Sequence, residues 1–77
     1  MKAADGAVVK HSLAIAGHRT SVSLEGVFWA ELKRAAAERG QPLSACVAEI
    51  DASRGEANLS SAIRVFVLRR ALEKARA

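Results

Sequence analysis

The stretch "HRTSVSLE", residues 18–25, alternates between apolar and polar side chains. An extended chain points successive side chains to opposite sides, which separates an apolar set from a polar set: Thr20, Val22 and Leu24 against Arg19, Ser21 and Ser23. This pattern is typical of a β-strand with one buried face. Helical patterns fill most of the remaining chain, so the strand needs a partner for its open backbone donors and acceptors.

A second strand-like stretch, residues 8–16, lies just upstream. Its apolar Leu13 and Ile15 occupy odd positions, whereas the inward residues of the first stretch occupy even positions. Gly17 stands between the two stretches, where a bulge, a bend or a tight turn would absorb the change of phase. The sequence therefore predicts an extra upstream strand that pairs with the first or extends it. Residues 1–7 are small and polar, and we expect a flexible N-terminus there.

Three helices are predicted after the strand, at about residues 26–39, 42–52 and 60–74, within one domain spanning residues 8–77. Gly40 ends the first helix, Pro42 suits the first turn of the second, and Ser60 is a candidate N-cap for the third. The third helix is apolar on nearly all sides, which favours burial against a second chain. The fold class is therefore mainly α with an N-terminal β-strand.

Composition limits the classes of protein to which this chain can belong. The 77 residues carry 12 basic and 8 acidic side chains, a formal charge of +4, and this basic surplus favours a polyanionic partner. The single cysteine, Cys46, has no partner for an internal disulfide, which predicts a cytoplasmic location. No uninterrupted apolar run reaches about 18 residues, so we expect no membrane partner and no transmembrane helix.

Catalytic and metal-binding patterns are not evident in the sequence. The residues do not support an active site built on paired carboxylates or on a nucleophile with a base. His11 and His18 lack metal-ligand spacing. We therefore expect no enzyme activity, no cofactor, no metal and no small-molecule substrate. Trp29 and Cys46 are interpreted as packing residues, with Trp29 placed to cover the strand or a partner chain.

The order of strand, helix, glycine turn and helix resembles the ribbon-helix-helix (Arc-like) DNA-binding family. Leu24 ends the strand and Gly40 closes the helix sixteen positions later, which is the family's spacing. The chain also looks like a subfamily with a "TSVSLE" strand, a Phe-Trp pair and an "NLSSAIRVFVL" tail. The resemblance covers about residues 10–72. Many members carry long polar or basic side chains where this chain has two serines, and typical minimal members lack both the upstream stretch and so apolar a third helix.

This resemblance implies an intertwined homodimer that inserts a two-stranded antiparallel ribbon into the major groove of double-stranded DNA. By the family spacing, the residues that contact bases are Arg19, Ser21 and Ser23. The DNA backbone contacts fall on His18, Gln41, Leu43 and Ser44, although Pro42 removes one N–H from that site. The implied dimer core consists of Val22, Leu24, Phe28, Leu32, Leu43, Val47, Ile50, Ile63 and Phe66.

The implied function is a nucleoid-associated transcriptional regulator, such as a repressor, acting as a dimer or as a higher oligomer on DNA. An antitoxin is the close alternative; because no long tail follows Ala77, we favour the stand-alone regulator. A different class remains open, in which the apolar third helix binds another protein and the ribbon serves only for dimerisation. A basic amphipathic membrane binder ranks lower, because the third helix has too few charges.

Overall fold

The computed structural model describes residues 6–76 and contains a two-stranded antiparallel sheet followed by three helices. The elements are β1 (Val8–Ile15), β2 (His18–Glu25), α1 (Gly26–Glu38), α2 (Leu43–Ser53) and α3 (Leu59–Arg76). This order confirms the predicted fold class. The expectation of a flexible N-terminus concerns mainly residues 1–5, which lie outside the described residues.

β2 is paired within its own chain. β1 and β2 form a hairpin in which Val9 faces Leu24, His11 faces Val22 and Ile15 faces His18. Residues directly opposite each other lie on the same face of the sheet. Each pair joins an odd-numbered and an even-numbered position, so odd residues of β1 share a face with even residues of β2. A two-residue turn therefore explains why the inward residues are odd-numbered in β1 and even-numbered in β2.

The turn itself consists of Ala16 and Gly17, which both have positive φ, 51° and 81°. Two successive residues with positive φ are typical of a type I′ hairpin turn, whose twist matches that of the flanking strands. Glycine adopts this conformation freely, whereas the Cβ of alanine opposes it at a cost of about 1–2 kcal/mol. Ala16 is therefore the strained residue of the hairpin.

Replacing Ala16 by Asn should stabilise the protein. Asn tolerates the left-handed region better than Ala does, and Asn-Gly is the preferred pair in this turn. We expect a gain of roughly 1 kcal/mol, which corresponds to about 4–8 °C in Tm for a chain of this size. Thermal unfolding followed by circular dichroism measures the gain. Ala14→Asn, the same change in the adjacent strand, should not stabilise; equal gains in both variants would contradict the assignment of strain to Ala16.

The core lies between the inner face of the hairpin and the three helices. Its buried members come from every element: Ile15, Val22, Leu24, Leu32, Ala36, Cys46, Val47, Ile50, Ile63 and Val67. Leu13, Phe28, Trp29 and Leu43 are partly buried and pack against it. The hairpin is thus fixed on its apolar side, and its opposite side remains free.

α3 is capped at its start and buries one of its faces along its length. At its start, the N-cap is Asn58, whose Oδ1 accepts a hydrogen bond from the Ser61 N–H at 2.8 Å. The prediction of Ser60 as the N-cap is therefore wrong, because the helix begins one residue earlier and Ser60 lies inside its first turn. Further along, Ile63 and Val67 are buried, whereas Val65, Leu68 and Leu72 are 49%, 56% and 47% exposed.

Three ion pairs tie α3 to the elements before it. Arg64 Nε lies 2.9 Å from Glu25 Oε1, and Glu38 contacts both Arg70 and Lys74 Nζ, the latter at 2.9 Å. Arg64 and Arg70 of α3 therefore lie on carboxylates of their own chain. Hydrogen bonds from Lys74 and Arg70 hold the pKa of the Glu38 carboxyl below its ordinary value of 4.5.

The Glu38 cluster should make stability depend on pH. A carboxyl with a lowered pKa stabilises the folded state above its ordinary pKa, because the unfolded chain then binds the proton more readily than the folded chain does. This contribution is lost as the pH falls below 4.5 and through the lowered pKa. We expect Glu38→Gln to flatten the stability profile in that acid range. Urea unfolding at a series of pH values measures this, with Glu56→Gln on an exposed loop as the control; equal flattening by both variants would contradict it.

Candidate nucleic-acid interface

The outer face of the hairpin is mainly polar, with Val8 and Ala14 of β1 as apolar residues on it. The alternation that buries Val22 and Leu24 turns Arg19, Ser21 and Ser23 outward, and all three are exposed. From β1, Lys10 faces Ser23 and Ser12 faces Ser21 on the same side. The two strands therefore present one surface together rather than a single row of side chains.

Positive charge dominates this outer face. Lys10 and Arg19 have no carboxylate within 4.0 Å among residues 6–76. Glu25 lies at the end of β2, where its own backbone N–H and then the Arg64 guanidinium lower the pKa of its carboxyl. The acidic group is therefore ionised and neutralised by Arg64, whereas the two cations remain available to a ligand.

The edge of β2 that faces away from β1 is closed at one end and open at the other. The Ser23 N–H donates to Ser60 Oγ at 3.2 Å, and Arg64 Nη2 donates to the Ser23 carbonyl at 3.4 Å. In an antiparallel pair, alternate residues direct both backbone groups to the same edge, so Arg19 and Ser21 face this edge as well. Within the described residues their backbone groups have no partner, and the edge can accept another strand there.

The inner side of β1 is fixed by an aromatic contact. The His11 and Trp29 rings stack with centroids 3.7 Å apart and an angle of 4° between their planes. Trp29 therefore covers the ribbon of its own chain, one of the two positions that the sequence predicted. Since both rings lie on the core side, the contact sets the position of β1 against α1 and leaves the outer face unobstructed.

The first turn of α2 offers a second group of free donors. Pro42 occupies the N-cap with an extended backbone, and its carbonyl accepts the N–H groups of Ala45 and Cys46. Leu43 and Ser44 precede those bonds, so their N–H groups have no intrahelical partner and suit an anion. Pro42 supplies no N–H of its own, which leaves the turn with two donors.

Gln41 is less available than its neighbours. Its Nε2 donates to Glu49 Oε2 at 2.7 Å, and its backbone N–H donates to the Ala36 carbonyl. Its buried Oε1 has no hydrogen-bond partner. Of the four residues predicted to contact a DNA backbone, His18 and Ser44 are exposed, Leu43 is half-buried, and Gln41 is held by Glu49.

The nine residues assigned to a dimer core take part in the core of a single chain. Six are buried within it: Val22, Leu24, Leu32, Val47, Ile50 and Ile63. Phe28, Leu43 and Phe66 are partly buried at its margin. Their burial is therefore largely complete before any second chain arrives.

Sequence reasoning missed the outward residues of β1, Lys10 and Ser12. The opposite phases of the two stretches were a usable signal, because inward residues of opposite parity predict an antiparallel hairpin with a short turn. Placing Leu13 and Ile15 inward turns Lys10 and Ser12 outward beside the serines of β2. Pairing of Ser23 with Ser60 and Arg64 had no comparable signal, since it joins residues 37 and 41 positions apart.

The protein is therefore a small domain in which a polar, positively charged β-hairpin packs on three helices. The chain belongs to the ribbon-helix-helix domain family, whose model matches residues 8–71. Domains of this family are generally DNA-binding transcription regulators or antitoxins, typically dimerise, and are non-enzymatic.

Comparison with solved structures gives a similar fold. An uncharacterized protein from Bordetella pertussis Tohama I superposes with a TM-score of 0.85 at 32% identity over 99% of this chain. The chain spans 65% of that protein's length. No curated protein matches the chain.

Two further properties concern residues 6–76. No helix in this range is both long and apolar enough to cross a membrane. Nor does the range bring together three or more His, Cys, Asp or Glu side chains that could hold a metal ion.

Proposed function

We propose that the protein is a dimeric, sequence-specific DNA-binding regulator that reads the major groove with the outer face of β2. One observation carries the proposal: Arg19, Ser21 and Ser23 stand exposed on one face of a strand in a ribbon-helix-helix chain. Their side chains project away from the core, which leaves the whole face free to meet a surface such as a duplex.

The dimer forms where β2 has an open edge. Two copies of β2 pair antiparallel through the backbone groups of Arg19 and Ser21, which lack partners in the described part of the chain. Ser23 is already bonded to Ser60 and Arg64, so the paired segment ends before it. Most residues assigned to the dimer core are already buried within each chain, so Phe28, Leu43 and Phe66 at its margin supply the apolar contacts between the protomers.

Each contact residue has a distinct role in this proposal. Arg19 donates two hydrogen bonds to a guanine, a contact worth about 1–3 kcal/mol of discrimination, whereas Ser21 and Ser23 bond to several base edges and discriminate less. The N–H groups of Leu43 and Ser44 bind a phosphate, and His18 at the turn contacts the DNA backbone. Gln41 joins this phosphate site when its amide releases Glu49.

The proposal places the protein in the cytoplasm at the nucleoid as a transcriptional regulator, without enzymatic activity or a cofactor. The operation of such a regulator requires nothing beyond the duplex and a second copy of the chain. Higher oligomers on adjacent DNA sites are compatible with it.

The salt dependence of binding tests the proposal. Fluorescence anisotropy with mixed-sequence duplex DNA at several salt concentrations should give log K falling steeply with log salt, by about 0.9 for each neutralised phosphate. Absence of binding at about 50 mM salt, a concentration at which phosphate contacts are strong, would contradict DNA binding. A monomeric mass at micromolar concentration with retained helicity would contradict the dimer.

A second candidate is a protein-interaction module that uses α3. Val65, Leu68 and Leu72 are exposed at helical spacings of three and four, forming one apolar stripe. In this candidate the ribbon serves only for dimerisation, so the wild-type protein should not bind duplex DNA, and Leu68→Gln with Leu72→Gln should abolish binding of the protein partner. Loss of DNA binding in that variant, with the fold retained, would place the stripe in the DNA-binding dimer instead.

A further inference from the structure

Lys10 is a cation on the outer face of β1. The proposed contact of β2 with DNA bases gives it no role. It lies directly opposite Ser23 in the hairpin register and is exposed. No carboxylate lies within 4.0 Å of it in residues 6–76. Residues directly opposite in an antiparallel pair have Cβ atoms about 4.5–5.5 Å apart, so Lys10 sits next to the reading residues but one strand further out.

The width of the sheet determines what that outer position can reach. When two copies of β2 pair, the order across the sheet becomes β1, β2, β2 and β1. Strands lie about 4.8 Å apart, so the axes of the two outer strands are about 14 Å apart. The major groove of B-DNA is about 12 Å wide. The central pair fits the groove, whereas each β1 comes to lie over a sugar–phosphate strand that borders it.

We propose that Lys10 of each protomer binds a backbone phosphate at the border of the groove and so sets the depth and register of the ribbon. The inference rests on the proposed function and adds a contact to it. Lysine suits this role because its ammonium is a compact point charge that binds phosphate without the fixed planar geometry of arginine. Lys10 is thus a positioning residue, and base reading stays with Arg19.

The core packing of the hairpin supports this assignment. His11, next to Lys10, stacks on Trp29 at 3.7 Å, which fixes the inner side of β1 at this position. The Gly26 N–H donates to the Ala7 carbonyl at 3.2 Å and extends the pairing by one residue before the start of β1. Lys10 is therefore presented from an ordered strand rather than from a fraying terminus.

The test compares Lys10→Ala with Lys10→Arg and with a charge-matched control, Arg76→Ala. Arg76 lies 12 residues beyond Arg64 on α3, about 18 Å along the helix axis from the contact with β2. Affinities for a preferred and a mixed-sequence duplex are measured at several salt concentrations. In Lys10→Ala the salt slope should become shallower by about 1.8 per dimer, one phosphate for each protomer. Affinity should fall equally for both duplexes, and Lys10→Arg should restore the slope.

Three results would overturn the inference. A slope unchanged in Lys10→Ala, or reduced equally in Arg76→Ala, would leave Lys10 without a phosphate contact of its own. A loss confined to the preferred duplex would make Lys10 a base reader. Each of these is distinct from failure of the proposed function, in which the wild-type protein itself does not bind DNA.

Discussion

Replacing Leu24 by Ala is expected to remove a large part of the protein's stability. Leu24 is fully buried where β2 meets the helical core. Truncation of such a side chain costs about 2–5 kcal/mol, because the transfer free energy of the lost atoms is added to the cost of the cavity. Domains of this kind have total stabilities of about 5–15 kcal/mol, so the loss is a large fraction of the total.

Leu68→Ala is the matched control for this prediction, since the same atoms are removed from a side chain that is 56% exposed. Its loss should be well below that of Leu24→Ala. Urea unfolding followed by circular dichroism gives both free energies at the same protein concentration. Similar losses in the two variants would contradict the placement of Leu24 in the core.

Arg19→Ala is expected to remove most of the protein's ability to distinguish its preferred DNA sequence. A bidentate contact to guanine is worth about 1–3 kcal/mol, which corresponds to a loss of roughly 5- to 150-fold in affinity for the preferred site. Affinity for mixed-sequence DNA should fall much less. Arg19 is exposed, so the fold should be unaffected.

Arg69→Ala provides the control, because Arg69 is an exposed arginine of α3 with no carboxylate within 4.0 Å in the described chain. Selection of preferred duplexes from a random pool by each variant shows which base position depends on which residue. In Arg19→Ala, the preference should relax at one position per half-site. An equal loss for all sequences would reduce Arg19 to a phosphate contact.

Much of the fold could be predicted because its signals are local. The alternation in residues 18–25, the glycine at position 40 and the apolar repeats of the helices each reflect burial within a few neighbouring positions. Those signals gave the strand-and-helix order, and the resemblance built on them led to the correct family. They also placed Arg19, Ser21 and Ser23 on the exposed side of the strand.

Other features depend on contacts between distant positions. A strand pattern does not identify its neighbour, so the sequence does not decide the partner of β2, although the phase change at Gly17 is consistent with a hairpin. Residue type alone makes Ser60 a candidate cap, yet its Oγ accepts a hydrogen bond from the Ser23 N–H of β2. Asn58, one of the turn formers in the same loop, is the cap because its carboxamide reaches the Ser61 N–H.

The contact of the ribbon with DNA is tested most directly by amide NMR spectra of the protein titrated with duplex. We predict shifts concentrated on the outer face of the hairpin, at Lys10, Arg19, Ser21 and Ser23, and at Leu43 and Ser44 in the first turn of α2. The second half of α3 should remain unchanged. Shifts confined to α3, with the hairpin amides unaffected at saturating DNA, would contradict the account.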